Sequence, residues 1–127
     1  MIKLFTYDHC PYCVRVRFVL GVKGVSYHHE VLLNDDEETP IRMIGVKMAP
    51  VLEKKDGSYM GESLDIIRYV EKQSGVATFR PVGDGSQFEG WRARIGQTMN
   101  ALLFPRWVQA PLKEFATGSA RAYFIRK

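Results

Sequence analysis

The chain holds two cysteines, and both fall in one tetrapeptide, Cys10-Pro11-Tyr12-Cys13. At that spacing on a helix, side chains share a face with Cβ atoms about 5–6 Å apart. A C-x-x-C where a strand hands over to a helix reads first as a dithiol redox motif. The competing chemistry is a zinc half-site. Zinc takes four ligands, commonly two such pairs or added histidines. Here no second pair exists and only His9 is adjacent. Ahead of the motif, Ile2, Leu4 and Thr6 alternate with Lys3, Phe5 and Tyr7, the period of a strand. Behind it, Val14, Phe18 and Val22 recur every four residues, predicting the buried face of a helix. Pro11 suits the first helical position, since its φ is already helical and its missing N–H would have no partner. Cys10 then falls at the N-cap, facing unpaired N–H groups and the positive end of the helix dipole. Thiols in such surroundings reach pKa values of roughly 3.5–7.5.

The rest of the chain bounds where such chemistry operates. A length of 127 residues suits one ordinary domain and is short for two. A hydrophobic fraction of 46% is ample for a core. No apolar run approaches the ~20 residues needed to cross a bilayer, and Met1 opens directly into strand rather than into a signal peptide. Both cysteines are used in one motif, so no structural disulfide framework is expected, which points to a reducing, cytoplasmic setting. The net charge of +4 is uneven. Residues 1–74 carry ten Lys/Arg against eleven Asp/Glu, and residues 75–127 carry eight against three. That basic bias lacks any recognised nucleic-acid-binding motif, so it reads as a solvated helical face or a surface for an acidic partner.

Further along, Gly24 closes a turn, and Val25 to Leu33 reads as a second strand in which His28 and His29 point to opposite faces. The acidic loop Asn34 to Glu38 offers N-cap and first-turn charge to a short helix from Pro40 to Gly45. Pro50 introduces a third strand, Val51 to Glu53, in the position where a strand tolerates proline. Lys55-Asp56-Gly57-Ser58 is a hairpin turn returning through Tyr59-Met60. Glu62-Ser63 opens a helix with Ile66, Tyr69 and Val70 on one face, ended by Gly75. The order β-α-β-α-β-β-α fits one α/β unit, a mixed four-stranded sheet with flanking helices, over residues 1–74.

Residues 75–85, with Gly75, Pro81, Gly83 and Gly85, read as a linker. Ser86 is placed to cap a long helix whose stripe is Phe88, Trp91, Ile95, Met99 and Leu102, with Trp91 and Met99 expected in a core. Pro105 and Pro111 bracket a break, and a last helix runs from Ser119. The chain stops in apolar, helical character at Tyr123 to Lys127 without a C-cap signal. The expectation is that residues 86–127 open an all-helical domain of a longer, two-domain protein.

Several segments together resemble a known family. These are Tyr7 to Cys13, Val31 to Asp36, Thr39-Pro40, Arg42-Met43, Glu62 to Ile66, Leu102 to Arg106 and Ala120 to Phe124. They are similar to the bacterial glutaredoxins of the second type, which resemble glutathione S-transferases in fold. The resemblance implies a thioredoxin-like N-terminal domain followed by an all-helical one. It implies Cys10 as nucleophile and Cys13 as resolving thiol, with glutathione as co-substrate and no metal. The other substrates would be protein disulfides and glutathionylated proteins. Pro50 would be a cis-proline that turns the Ala49 backbone toward Cys10, so that Met48, Ala49 and Pro50 line the glutathione site. Glu62 and Ser63 would meet the γ-glutamyl end, and Tyr12 would shape the approach to Cys10. The family carries a bulkier residue where Ala49 stands and a proline where Gly61 stands. Two other readings share the fold: a glutathione S-transferase-type conjugating enzyme, which needs no Cys13, and a non-catalytic glutathione-binding module. Glu62 and Ser63 also admit simple helix capping.

Overall fold

The computed structural model describes residues 1–75, 79–80 and 82–126; Pro81 and Lys127, named in the sequence reading, lie outside them. Its elements are β1 (Ile2–Thr6), α1 (Pro11–Val22), β2 (Tyr27–Val31), α2 (Glu38–Ile44), β3 (Val51–Glu53), β4 (Tyr59–Met60) and α3 (Ser63–Ser74). A helical part follows: α4 (Ser86–Trp107), a 3-10 turn (Lys113–Phe115) and α5 (Gly118–Ile125). The four strands form one mixed sheet in the order β2-β1-β3-β4. Strand β1 runs parallel to β2 and antiparallel to β3, with Leu4 opposite Leu52 and Phe5 opposite Val51. The β3–β4 turn closes with Lys54 N–H donating to the Ser58 carbonyl at 2.8 Å, and Gly57 supplies φ +83°. At the end of α3, Gly75 takes φ +67°, a left-handed C-cap conformation that glycine adopts without strain.

Both faces of the sheet are covered, which is why β1 shows no clean polar–apolar alternation. On one face, Ile2, Leu4 and Leu52 pack with Val16, Val19 and Leu20 of α1 and Ile66 and Val70 of α3. On the other, Phe5, Tyr7, Leu32 and Val51 pack with Cys10 and Cys13 beside Met43 and Ile44 of α2. The central strand β1 is therefore held on both edges and both faces, and its C-terminal end carries the Cys10 loop.

Several expectations need correction. The buried face of α1 is Cys13, Val16, Val19 and Leu20, whereas Val14, Phe18 and Val22 are exposed. This helix is apolar nearly all round, so more than one stripe fits a helical period; burial of Cys13 selects the stripe that includes it. Strand β2 is shorter than Val25 to Leu33, and α2 begins at Glu38, where Asp36 Oδ1 accepts the Thr39 N–H at 2.9 Å. Ser86 does not cap α4. Asp84 Oδ1 accepts from the Ser86 N–H at 3.0 Å and from its hydroxyl at 2.8 Å, and Gly85 is the N-cap. Pro105 lies inside the last turn of α4 rather than beyond it, and a lost backbone bond there is confined to the helix end. Trp91 and Met99, expected in a core, are exposed, and no described residue of α4 is buried. A 3.6-residue period identifies a face but not what covers it. Helix α5 is capped by Thr117, whose hydroxyl accepts the Ala120 N–H at 3.1 Å.

Candidate active site

Cys10 occupies the N-cap of α1 with extended backbone (φ −75°, ψ 118°), and Pro11 follows as the first helical residue. Its carbonyl accepts from the Cys13 N–H at 3.1 Å and the Val14 N–H at 3.0 Å. No side chain makes a capping hydrogen bond at this helix end, and the Tyr12 and Cys13 N–H groups face the Cys10 sulfur. Cys10 retains 8% exposure, while Cys13 is fully buried one turn deeper and both thiols are free. The Tyr7 N–H points at Cys13 Sγ from 3.5 Å.

The two thiols are driven apart. A hydrogen bond from Cys13, together with the Cys13 and Tyr12 N–H groups and the nearby His9, outweighs burial and brings Cys10 down to about 6. Cys13 is pushed well above the usual thiol range by that same hydrogen bond, by burial and by the Cys10 charge. Two interacting thiols thus share one proton, held on the inner sulfur. At pH 7 the outer one is mainly thiolate.

The Ala49–Pro50 peptide bond is cis, and both residues line the cleft that Cys10 also lines. Cys10, Tyr12, Met48, Ala49, Pro50, Glu62 and Ser63 all line one cleft of about 630 Å³, and Cys13 lies beneath it. Glu62 precedes α3 with φ +59°, a left-handed conformation uncommon for a side-chain-bearing residue. Neither Glu62 nor Ser63 caps the helix through its side chain. Ser63 Oγ instead accepts from Arg15 Nε at 2.9 Å and also from Arg15 Nη2. The Arg15 guanidinium lies 4.9 Å from the centroid of the Tyr12 ring.

Arg15 and Lys47 are cleft residues that the sequence reading passed over, as are Asn100, Phe104, Trp107 and Phe124 from the helical part. A second omission is the contact behind Cys10. The Glu114 carboxylate, fully buried, accepts both the His9 N–H and the His9 ring Nδ1–H, each at 2.8 Å. Burial would raise the Glu114 pKa, but these hydrogen bonds prevail and hold it below the usual carboxylate value. Around the His9 ring stand Tyr7, Trp107, Phe115 and Phe124, with centroids 5.0–5.8 Å away. Among the described residues, no three His, Cys, Asp or Glu side chains converge as ligands of a metal ion. No described helix is long and apolar enough to cross a membrane.

Residues 4–78 match the family model for the glutathione S-transferase N-terminal domain. The chain belongs to that family. Residues 87–127 of this glutathione S-transferase family member match the glutaredoxin 2 C-terminal domain. Glutaredoxin 2 of Escherichia coli K12 is 44% identical over 128 residues, covering 98% of this chain and 58% of that protein. The crystal structure of glutaredoxin 2 from Salmonella typhimurium, in complex with glutathione, superposes with a TM-score of 0.94 at 43% identity. That match covers 99% of this chain and 57% of the other. The likeness to second-type glutaredoxins read from the sequence is thus met in both parts of the chain. A tau-class glutathione S-transferase from mango shares the fold at a TM-score of 0.59 and 19% identity, over 98% of this chain and 56% of that one. The chain spans a little under three-fifths of the length of the glutaredoxin 2 relatives it matches.

Proposed function

We propose that the protein is a glutathione-dependent thiol–disulfide oxidoreductase working through Cys10 and Cys13. The observation that carries the reading is the asymmetric pair at the α1 N-terminus: an ionised outer sulfur on the rim of a cleft and a protonated inner one beneath it. The Cys10 thiolate attacks one sulfur of a protein disulfide, forming a mixed disulfide and expelling the other sulfur as a thiolate. Cys13 then loses its proton to that departing group and attacks Cys10, which releases the reduced protein and leaves a Cys10–Cys13 disulfide. One glutathione thiolate reopens that bond, and a second removes the first from Cys10 as glutathione disulfide. A glutathionylated protein needs only Cys10: attack on the glutathione sulfur frees the protein thiol, and a second glutathione regenerates the enzyme.

Glutathione fits the cleft by its chemistry. Its cysteinyl backbone would pair with the main chain at Ala49, beside cis-Pro50 and Met48, like an added strand. The γ-glutamyl carboxylate would lie at the start of α3 near Ser63 and the Arg15 guanidinium, and Glu62 would take the amino group. Tyr12, half exposed on the opposite rim, would flank the sulfur. The dithiol would cycle in a reducing compartment, the cytoplasm.

The test uses Cys10→Ser and Cys13→Ser with two substrates, a glutathionylated protein and a protein disulfide. Cys10→Ser should abolish both activities, while Cys13→Ser should retain deglutathionylation and lose reduction of the protein disulfide. Activity surviving in Cys10→Ser would exclude the mechanism.

A further inference from the structure

We infer that Glu114 is a positioning residue for the Cys10 sulfur, acting through the two N–H groups of His9. The inference rests on the reading of Cys10 as the attacking thiolate. Glu114 lies 105 residues from His9 in sequence, on the 3-10 turn of the helical part. Its Oε1 accepts both His9 donors, and its Oε2 has no hydrogen-bond partner among the described residues. A buried carboxylate loses several kcal/mol of hydration, and well-packed apolar residues in place of such a polar pair are often at least as stable. The pair is therefore poorly explained as a stability device. What it does fix is geometry.

His9 directly precedes the N-cap, so holding its N–H and its ring at once fixes the chain entering Cys10. The local alternative is weaker, since the Cys10 N–H reaches the Tyr7 carbonyl only at 3.3 Å. The turn bearing Glu114 is itself anchored. Its carbonyl accepts the Asn34 N–H at 2.9 Å, and neighbouring Phe115 is fully buried against the His9 ring. Three of the four rings around His9 (Trp107, Phe115 and Phe124) come from the helical part. Among the described residues, the titratable groups beside Glu114 and His9 include Tyr7, stacked on the His9 ring, with Asp8, Cys10 and Cys13 of the thioredoxin-like part. The helical part thereby sets how squarely the thiolate meets the N–H groups of α1.

The experiment compares Glu114→Gln and Glu114→Asp in the full chain. The readout is the midpoint of the Cys10 iodoacetamide rate against pH, alongside Tm and turnover of a glutathionylated protein. Gln keeps the reach of the oxygen and drops the charge; Asp keeps the charge and withdraws the oxygen by one methylene. Asp should raise the midpoint by about half to one unit, the order of a helix-terminus interaction. Gln should restore it to within about 0.3 units of the parent, below the ~1-unit spread of ordinary environments. A shift in Gln with none in Asp would overturn the inference in favour of charge, and no shift in either would overturn it outright. A parent midpoint near ~8.5, the free-thiol value, would instead fail the oxidoreductase reading and leave the variant comparison a separate result.

Discussion

Replacing Cys13 by alanine tests the central electrostatic claim directly, because a hydrogen bond from Cys13 is the first cause of the low Cys10 pKa. A hydrogen bond to a charged group contributes about 1.5–3 kcal/mol. At about 1.36 kcal/mol per unit, its loss should raise Cys10 by about one to two units, from about 6 to the 7–8 range. At pH 7 Cys10 would then go from mainly thiolate to about half thiolate or less. A more basic thiolate is also a better nucleophile, with a Brønsted slope of about 0.4–0.5, so the plateau rate at high pH should rise roughly 2.5- to tenfold. The signature is a pair of crossing profiles: Cys13→Ala alkylates more slowly than the parent in mild acid and faster in alkali. Iodoacetamide labelling under pseudo-first-order conditions, read by intact mass, resolves both arms with a single thiol to follow. Cys13→Ser, which still offers a donor, should lie close to the parent. A Cys13→Ala midpoint coinciding with that of the parent would refute the reasoning, since Cys10 would then owe its acidity to the helix alone.

The same pair shapes stability against pH. Cys10 is depressed to about 6 in the fold and sits near ~8.5 when unfolded, so the unfolded chain binds more protons between those values. Reduced protein should therefore gain stability as pH rises from about 6 to about 8.5. Above ~8.5 it should lose stability, because Cys13 keeps its proton only in the fold. Urea midpoints across this range check both slopes, and Cys10→Ser should flatten the rise. A Cβ at Gly61 would stand 2.9 Å from Ile44 Cδ1 and 3.4 Å from Met48 Sδ. The closer contact is the flexible tip of Ile44, which can turn aside, so Gly61→Ala should cost less than about 1 kcal/mol in thermal melts and leave the glutathione KM close to that of the parent. Glu62→Gly keeps the positive φ and relieves the cost of about 1 kcal/mol or more that it imposes on a non-glycine residue. Its Tm should equal or exceed that of the parent while the glutathione KM rises, and a lower Tm would contradict the strain.

Local chemistry was the legible part of this sequence. Pro11 after Cys10, Pro50 before Val51, the Asp56-Gly57 turn and Gly75 each constrain the backbone within a few residues, and each marked a boundary correctly. The phase of α1 was misread because Val14, Phe18 and Val22 make as regular a stripe as Val16, Val19 and Leu20. Only the depth of Cys13 distinguishes them, and depth is a tertiary property. The α4 stripe failed for a related reason: its period is helical, but the described residues provide no surface to bury it. Arg15 and Glu114 were invisible for want of range. Their partners, Ser63 and His9, lie 48 and 105 residues away. A hint existed in Leu112 to Phe115, where an acid stands beside residues suited to a core.

The depth of Cys13 has a practical corollary. With its sulfur wholly enclosed while Cys10 opens on the cleft, a diffusing reagent can modify one site per molecule unless α1 lifts away from the sheet. Doubly labelled protein therefore counts opening events, and the ratio of double to single adducts over time is a built-in gauge of how often this corner of the fold breathes.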